Sequence, residues 1–146
     1  MKWQFEDKAT QGRFIVSMGD DSLKGEGILQ DRKEMVNTIV CNLGTPKKVV
    51  IDRVSYSMPA MSVLPLVANQ HFVFECQDQL LTWQFNRDFY CIADHDPEVG
   101  CVGFLFYGIE HPLFISLSEQ ELEGLTLMGR LCVEEMSVTD KMQGEM

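Results

Sequence analysis

The chain has 146 residues, 45% of them hydrophobic, with 22 Asp and Glu against 12 Lys and Arg and a formal net charge of −10. That length suits one domain with a real core, and the hydrophobic fraction excludes a disordered chain. Duplex binding needs Lys and Arg to displace counterions from phosphates. After Arg53 the only such cations are Arg87, Arg130 and Lys141, so the last 93 residues hold no basic face and direct nucleic-acid binding is not expected. No apolar run approaches the roughly 20 residues that span a bilayer, and Met1–Lys8 lacks the apolar segment of a secretory signal. The five cysteines (Cys41, Cys76, Cys91, Cys101, Cys132) are odd in number, form no C-x-x-C pair and mostly sit in apolar runs. They read as reduced, buried thiols of a cytoplasmic protein.

In chain order, the first 35 residues are the least legible. Arg13–Met18 reads as a strand ending at Gly19-Asp20-Asp21, and Gly25-Glu26-Gly27 as a turn. A β-branched run from Val36 to Cys41 stops at Asn42–Pro46. Val49 opens a strand expected to run to Tyr56. Pro65 in Met61–Leu66 removes a ladder donor and favours an edge or bend. Phe72–Cys76 is followed by a turn at Gln77-Asp78. Leu81, Trp83, Phe85, Phe89 and Cys91 then share one strand face, with Thr82, Gln84, Asn86 and Asp88 opposite. Val102–Tyr107 and Leu113–Leu117 complete about eight strands spaced near ten residues, with no long helix between them. The pattern predicts a mainly β fold, an antiparallel barrel or sandwich.

One helix is expected from residue 118. Ser118 and Glu121 form a capping box, and Leu117 can staple onto Leu122. Leu122, Leu125, Cys132, Val133 and Met136 make one apolar stripe with Gly129 in its middle, where the missing side chain would admit a neighbouring backbone. Leu127 and Leu131 fall on the other side, which suits either a helix touching both its own core and a partner or one sunk deeper into its own domain.

A barrel of this size raises the question of a metal. His71, His95 and His111 are isolated and no H-x-H pair occurs, so each reads as a surface or turn residue, as does Asp94-His95-Asp96-Pro97. No nucleophile elbow, phosphate loop or zinc-finger spacing is present. The expectation is no catalytic residue, no metal and no cofactor. The remaining chemical asset is an apolar barrel interior, with Phe72, Phe74, Trp83, Phe85, Phe104 and Phe106 as candidate lining and Arg53 and Tyr56 as polar handles. The alternative is that these aromatics simply fill the barrel.

The run Asn86–Cys101, continued by Gly103–Gly108 and by the Leu117-Ser118 helix start through Val133-Glu134-Glu135, resembles the N-terminal sensor region of bacterial AraC-type transcriptional regulators. Asp140–Met146 resembles the start of the second helix in that family. The likeness is specific over 86–146 and loose over 46–85, and nothing is recognised in 1–45. It implies a cupin-like, jelly-roll-type antiparallel β-barrel, a C-terminal α-helix and the start of a second helix. The expected division is a barrel sensor domain over 1–117 and a helical dimerisation segment over 118–146. The family further implies a homodimer controlled by a small-molecule effector or a protein signal. DNA would be reached only through a helix-turn-helix module following this segment. Leu122, Leu125, Gly129, Cys132, Val133 and Met136 are the expected dimer-helix residues. The competing expectations are a pure protein-interaction module with a filled barrel and a small-metabolite cupin enzyme.

Overall fold

Strands form where large and small or polar residues alternate, and their partners lie far away in sequence. The computed structural model describes residues 2–20, 23–26, 36–68, 70–86 and 114–145. Its strands are β1 (Lys2–Glu6), β2 (Arg13–Met18), β3 (Lys24–Glu26), β4 (Asn37–Asn42) and β5 (Lys47–Ile51). They continue with β6 (Val54–Met58), β7 (Ser62–Leu66), β8 (His71–Phe74), β9 (Leu80–Phe85) and β10 (Ile115–Ser116). One helix, α1 (Glu119–Glu145), follows. Six strands form a sheet in the order β1-β2-β9-β4-β7-β10, and four form a second in the order β3-β8-β5-β6. Every pairing is antiparallel. The fold is mainly β with a C-terminal helix, as expected. The strand expected at Val102–Tyr107 lies outside the described residues.

The main core lies between the two sheets. Val40, Leu64, Leu66 and Leu80 come from the six-stranded sheet, and Val49, Ile51, Met58, Phe72 and Phe74 from the other. Burying each such side chain stabilises the fold by about 1.5–3 kcal/mol. Alternation then sends Val16, Cys41 and Leu81 to the opposite face of the six-stranded sheet, where α1 covers them. Strand β9 is therefore buried on both sides. Thr82 and Gln84 share a face, and neither needs solvent: Thr82 hydrogen-bonds Ser17, and Gln84 Nε2 donates to Thr38 Oγ1 at 3.2 Å. Asn86 clamps the end of β2, accepting from Arg13 N at 2.9 Å and donating to Gln11 O at 3.0 Å.

Three expectations are corrected. The strand from Val49 does not reach Tyr56. It turns back at Asp52 (φ 47°) and Arg53 (φ 73°), two left-handed residues between the closing pair Ile51 and Val54. Two positive φ values are what a tight hairpin demands, and the Asp52 side chain helps by accepting from His71 N at 2.9 Å. The turn expected at Gly25 is instead part of β3, whose ladder is supplied by β8, remote in sequence. No second helix starts near Asp140, because α1 runs unbroken to Glu145. Ser137-Val138-Thr139-Asp140 are weak helix formers, but none is Pro or Gly, so the ladder continues. Pro65 sits where a proline can: it pairs with Ile39 of β4, while β10 extends only opposite Val63 and Ser62.

Candidate functional site

The start of α1 is built as the capping box requires. Ser118 N donates to Glu121 Oε1 at 3.0 Å, and Glu121 N donates to Ser118 Oγ at 3.1 Å. The backbone donor at Ser118, followed by its hydroxyl, holds the Glu121 carboxyl below its ordinary range. Leu117 and Leu122 join the same cluster, which fixes the angle at which the chain meets the sheet.

The inner side of the helix is sealed. Leu122, Leu125, Cys132 and Val133 pack with Leu81, Trp83, Val16 and Cys41. Gly129 is buried here, and a Cβ added to it would lie 3.1 Å from Leu81 Cδ2 and 3.6 Å from Trp83 Cζ2. The close neighbours are side chains of β9, not the backbone expected from the sequence. The expected dimer-helix residues Leu122, Leu125, Gly129, Cys132 and Val133 thus face their own sheet, because the sheet's apolar outer face needs a cover. The Met136 side chain lies outside the described residues.

Among the described residues, the outer side carries exposed apolar side chains. Leu127, Met128 and Leu131 are 53%, 58% and 51% exposed. An open groove of about 350 Å³ runs along this flank between Glu123 and Arg130, with Leu122, Thr126 and Leu127 in its wall. Among the described residues, nothing outside its own helix turn lies within 4 Å of a Cβ built on Gly124, which is also exposed. The sequence placed Leu127 and Leu131 on this side. Met128 was missed, although it follows Gly124 by four residues and so lies one turn along the same surface.

The aromatics expected to line one pocket are divided among three clusters. Phe72 and Phe74 are buried between the sheets in an edge-to-face pair, 6.0 Å between centroids at 78°. Tyr56 is half-buried at the edge of that core, 6.2 Å from Phe114. Trp83 lies beneath α1, and Phe85 packs with Phe14, Ile39 and Val67. Period-two alternation in β9 put Trp83 and Phe85 on the face away from Phe72 and Phe74. Arg53 is exposed at the hairpin tip and offers no handle to an interior ligand. Phe104 and Phe106 lie outside the described residues, as do His95, His111 and the Asp94–Asp96 turn.

Among the described residues, no three His, Cys, Asp or Glu side chains come together as a metal site. Burial raises the Cys41 thiol to about 11, which keeps it protonated at neutral pH. No helix among the described residues is long and apolar enough to cross a membrane. Comparison with family models, curated proteins and solved structures returns no significant match to this chain.

Proposed function

We propose that this chain is the effector-sensing and dimerisation domain of an AraC-type transcriptional regulator, working in the cytoplasm, with its two sheets forming a cupin-like jelly-roll barrel. The observation that carries the reading is the division of α1. One side is packed onto β9, so it moves with the sheet, while the other presents Leu127, Met128 and Leu131 to solvent. Such a helix suits a rigid link between a sensing domain and a second subunit. The mechanism is a population shift: an effector acts only if it binds one arrangement of the paired subunits better than the other. DNA contact belongs to a module outside this segment, and no catalysis is assigned to it.

A protein signal is the second reading. It is favoured by Phe72 and Phe74, which fill the inter-sheet core rather than line a space.

The test is a thermal-shift screen against sugars, organic acids and small aromatics, beside sedimentation of the free chain. Ligand at a hundredfold excess over Kd adds about 2.7 kcal/mol of stability, roughly 5–10 °C in Tm for this size. A dimer with a saturable shift for one chemical class is the expected result. A dimer with no shift selects the protein signal. A monomer without any response overturns the proposal.

A further inference from the structure

We infer that Lys47 and Thr45 together bind the carboxylate of a small organic anion, and that this is the effector chemistry of the domain. The inference rests on the effector reading above and names the ligand class.

Lys47 opens β5, and alternation gives it the same face as Val49 and Ile51, which lie in the core between the sheets. It pairs with Met58, which is fully buried. Only 7% of Lys47 is exposed, so its charge is held almost out of water. A buried cation is costly unless an anion lies beside it. No carboxylate of the described residues lies within 4 Å of Lys47 Nζ. Yet acids outnumber bases 22 to 12 in the chain. The ammonium instead donates to Thr45 O at 3.0 Å and to Thr45 Oγ1 at 3.3 Å, both neutral. It has three donors, and the third finds no acceptor among the described residues.

Thr45 is exposed, so a solute can reach its hydroxyl, which accepts from Lys47 and still has a proton to give. A hydroxyl and an ammonium side by side suit the two oxygens of one carboxylate. One cation matches one negative charge. Phosphate would bring a second charge that a chain of net charge −10 repels. The same cluster reaches the root of α1. Thr45 O also accepts from Asn42 Nδ2 at 2.9 Å. Asn42 O accepts from Met61 N at 3.1 Å, and Met61 O accepts from Leu117 N at 2.8 Å, two residues before the helix. An anion that draws Lys47 Nζ away from Thr45 O loosens the first link of this chain.

Thermal shifts of the whole chain with sodium butyrate and sodium benzoate test this at constant ionic strength. Butyramide, benzamide and glucose serve as neutral controls, and inorganic phosphate as the alternative oxyanion. Both carboxylates should raise the melt saturably, and the neutral compounds should not. Lys47→Met should weaken the apparent Kd by at least roughly tenfold. Its own melt should be no lower than wild type, because it removes an uncompensated charge. Thr45→Val, at an exposed position, should weaken the Kd by about three- to tenfold, and it decides the matter if Lys47→Met does not fold. The amide signals of Met61 and Leu117 should move with butyrate in wild type, and signals that stay still overturn the link to α1. A carboxylate response that survives both substitutions makes Lys47 a fastener of Thr45 and overturns the site, as does a response to phosphate alone. A response to neutral compounds alone overturns the site while leaving the effector reading standing. Silence from every compound overturns the site and selects the protein signal.

Discussion

Gly124 and Gly129 lie five residues apart on one helix and occupy opposite environments. At Gly129 an added Cβ would press on Leu81 and Trp83, while at Gly124 it would meet open space among the described residues. The first glycine exists for a contact already made within the chain. The second leaves a gap on an exposed surface where Leu127, Met128 and Leu131 lie among charged residues. The contrast shows that a glycine in a helix carries no meaning by itself. Its role is set by which side of the helix has found a cover.

Substitutions at the two glycines separate the environments. Gly129→Leu should show the largest effect: a leucine has no room above Leu81, and overpacking outweighs the gain in helix propensity, for a net loss of about 2 kcal/mol. Thermal melts should fall by roughly 4–8 °C. A melt unchanged by Gly129→Leu would mean that the helix is not seated as described.

Ser118→Ala removes the cap that starts both faces and should cost about 1 kcal/mol. The pH dependence has a defined sign. The folded Glu121 carboxyl titrates below its unfolded value, so its contribution is present above the unfolded pKa and is lost as pH falls through the folded one. The gap between wild type and Ser118→Ala should therefore narrow in acid, as paired melts would show. A gap that widens in acid would contradict the assignment.

Gly124→Ala should stabilise the chain, as thermal melts would show. It replaces the poorest interior helix former but proline with the best, adding about 0.5–1 kcal/mol of stability. Arg53→Gly should show the smallest effect. It relieves a left-handed arginine and should leave the melt unchanged or raised by up to about 1 kcal/mol. A fall would mean that the Arg53 side chain makes a contact of consequence at the hairpin tip.

The local signals were legible because they are local. The Ser118–Glu121 box, the inner stripe of α1 and the strand spacing all depend on residues within one or two turns. Leu127 and Leu131 could be placed on a second face by counting residues alone. The hairpin at Asp52-Arg53 was not legible, because Asp-Arg lacks the glycine that normally marks two left-handed positions. Strand β3 was hidden for the opposite reason: Gly25 signals a turn locally, and only pairing with β8 makes the segment extended. Which candidate pocket residues share a cluster was not legible, for want of long-range information. Alternation says that Phe72 and Phe74 share a face, and likewise Trp83 and Phe85, but not which sheet each strand joins. That is decided by pairings such as Thr82 of β9 with Val40 of β4.

Strand β9 lies between β2 and β4, with the second sheet's core on one side and α1 on the other. Its amides can reach solvent only when both coverings have been lost. They should therefore exchange with deuterium more slowly than those of the edge strand β1, at the free energy of global unfolding. Exchange along β9 would then report the stability of the whole domain, and the association proposed for α1 should slow it further. The strand that is least accessible to a reagent becomes the natural gauge of whether a second subunit is bound.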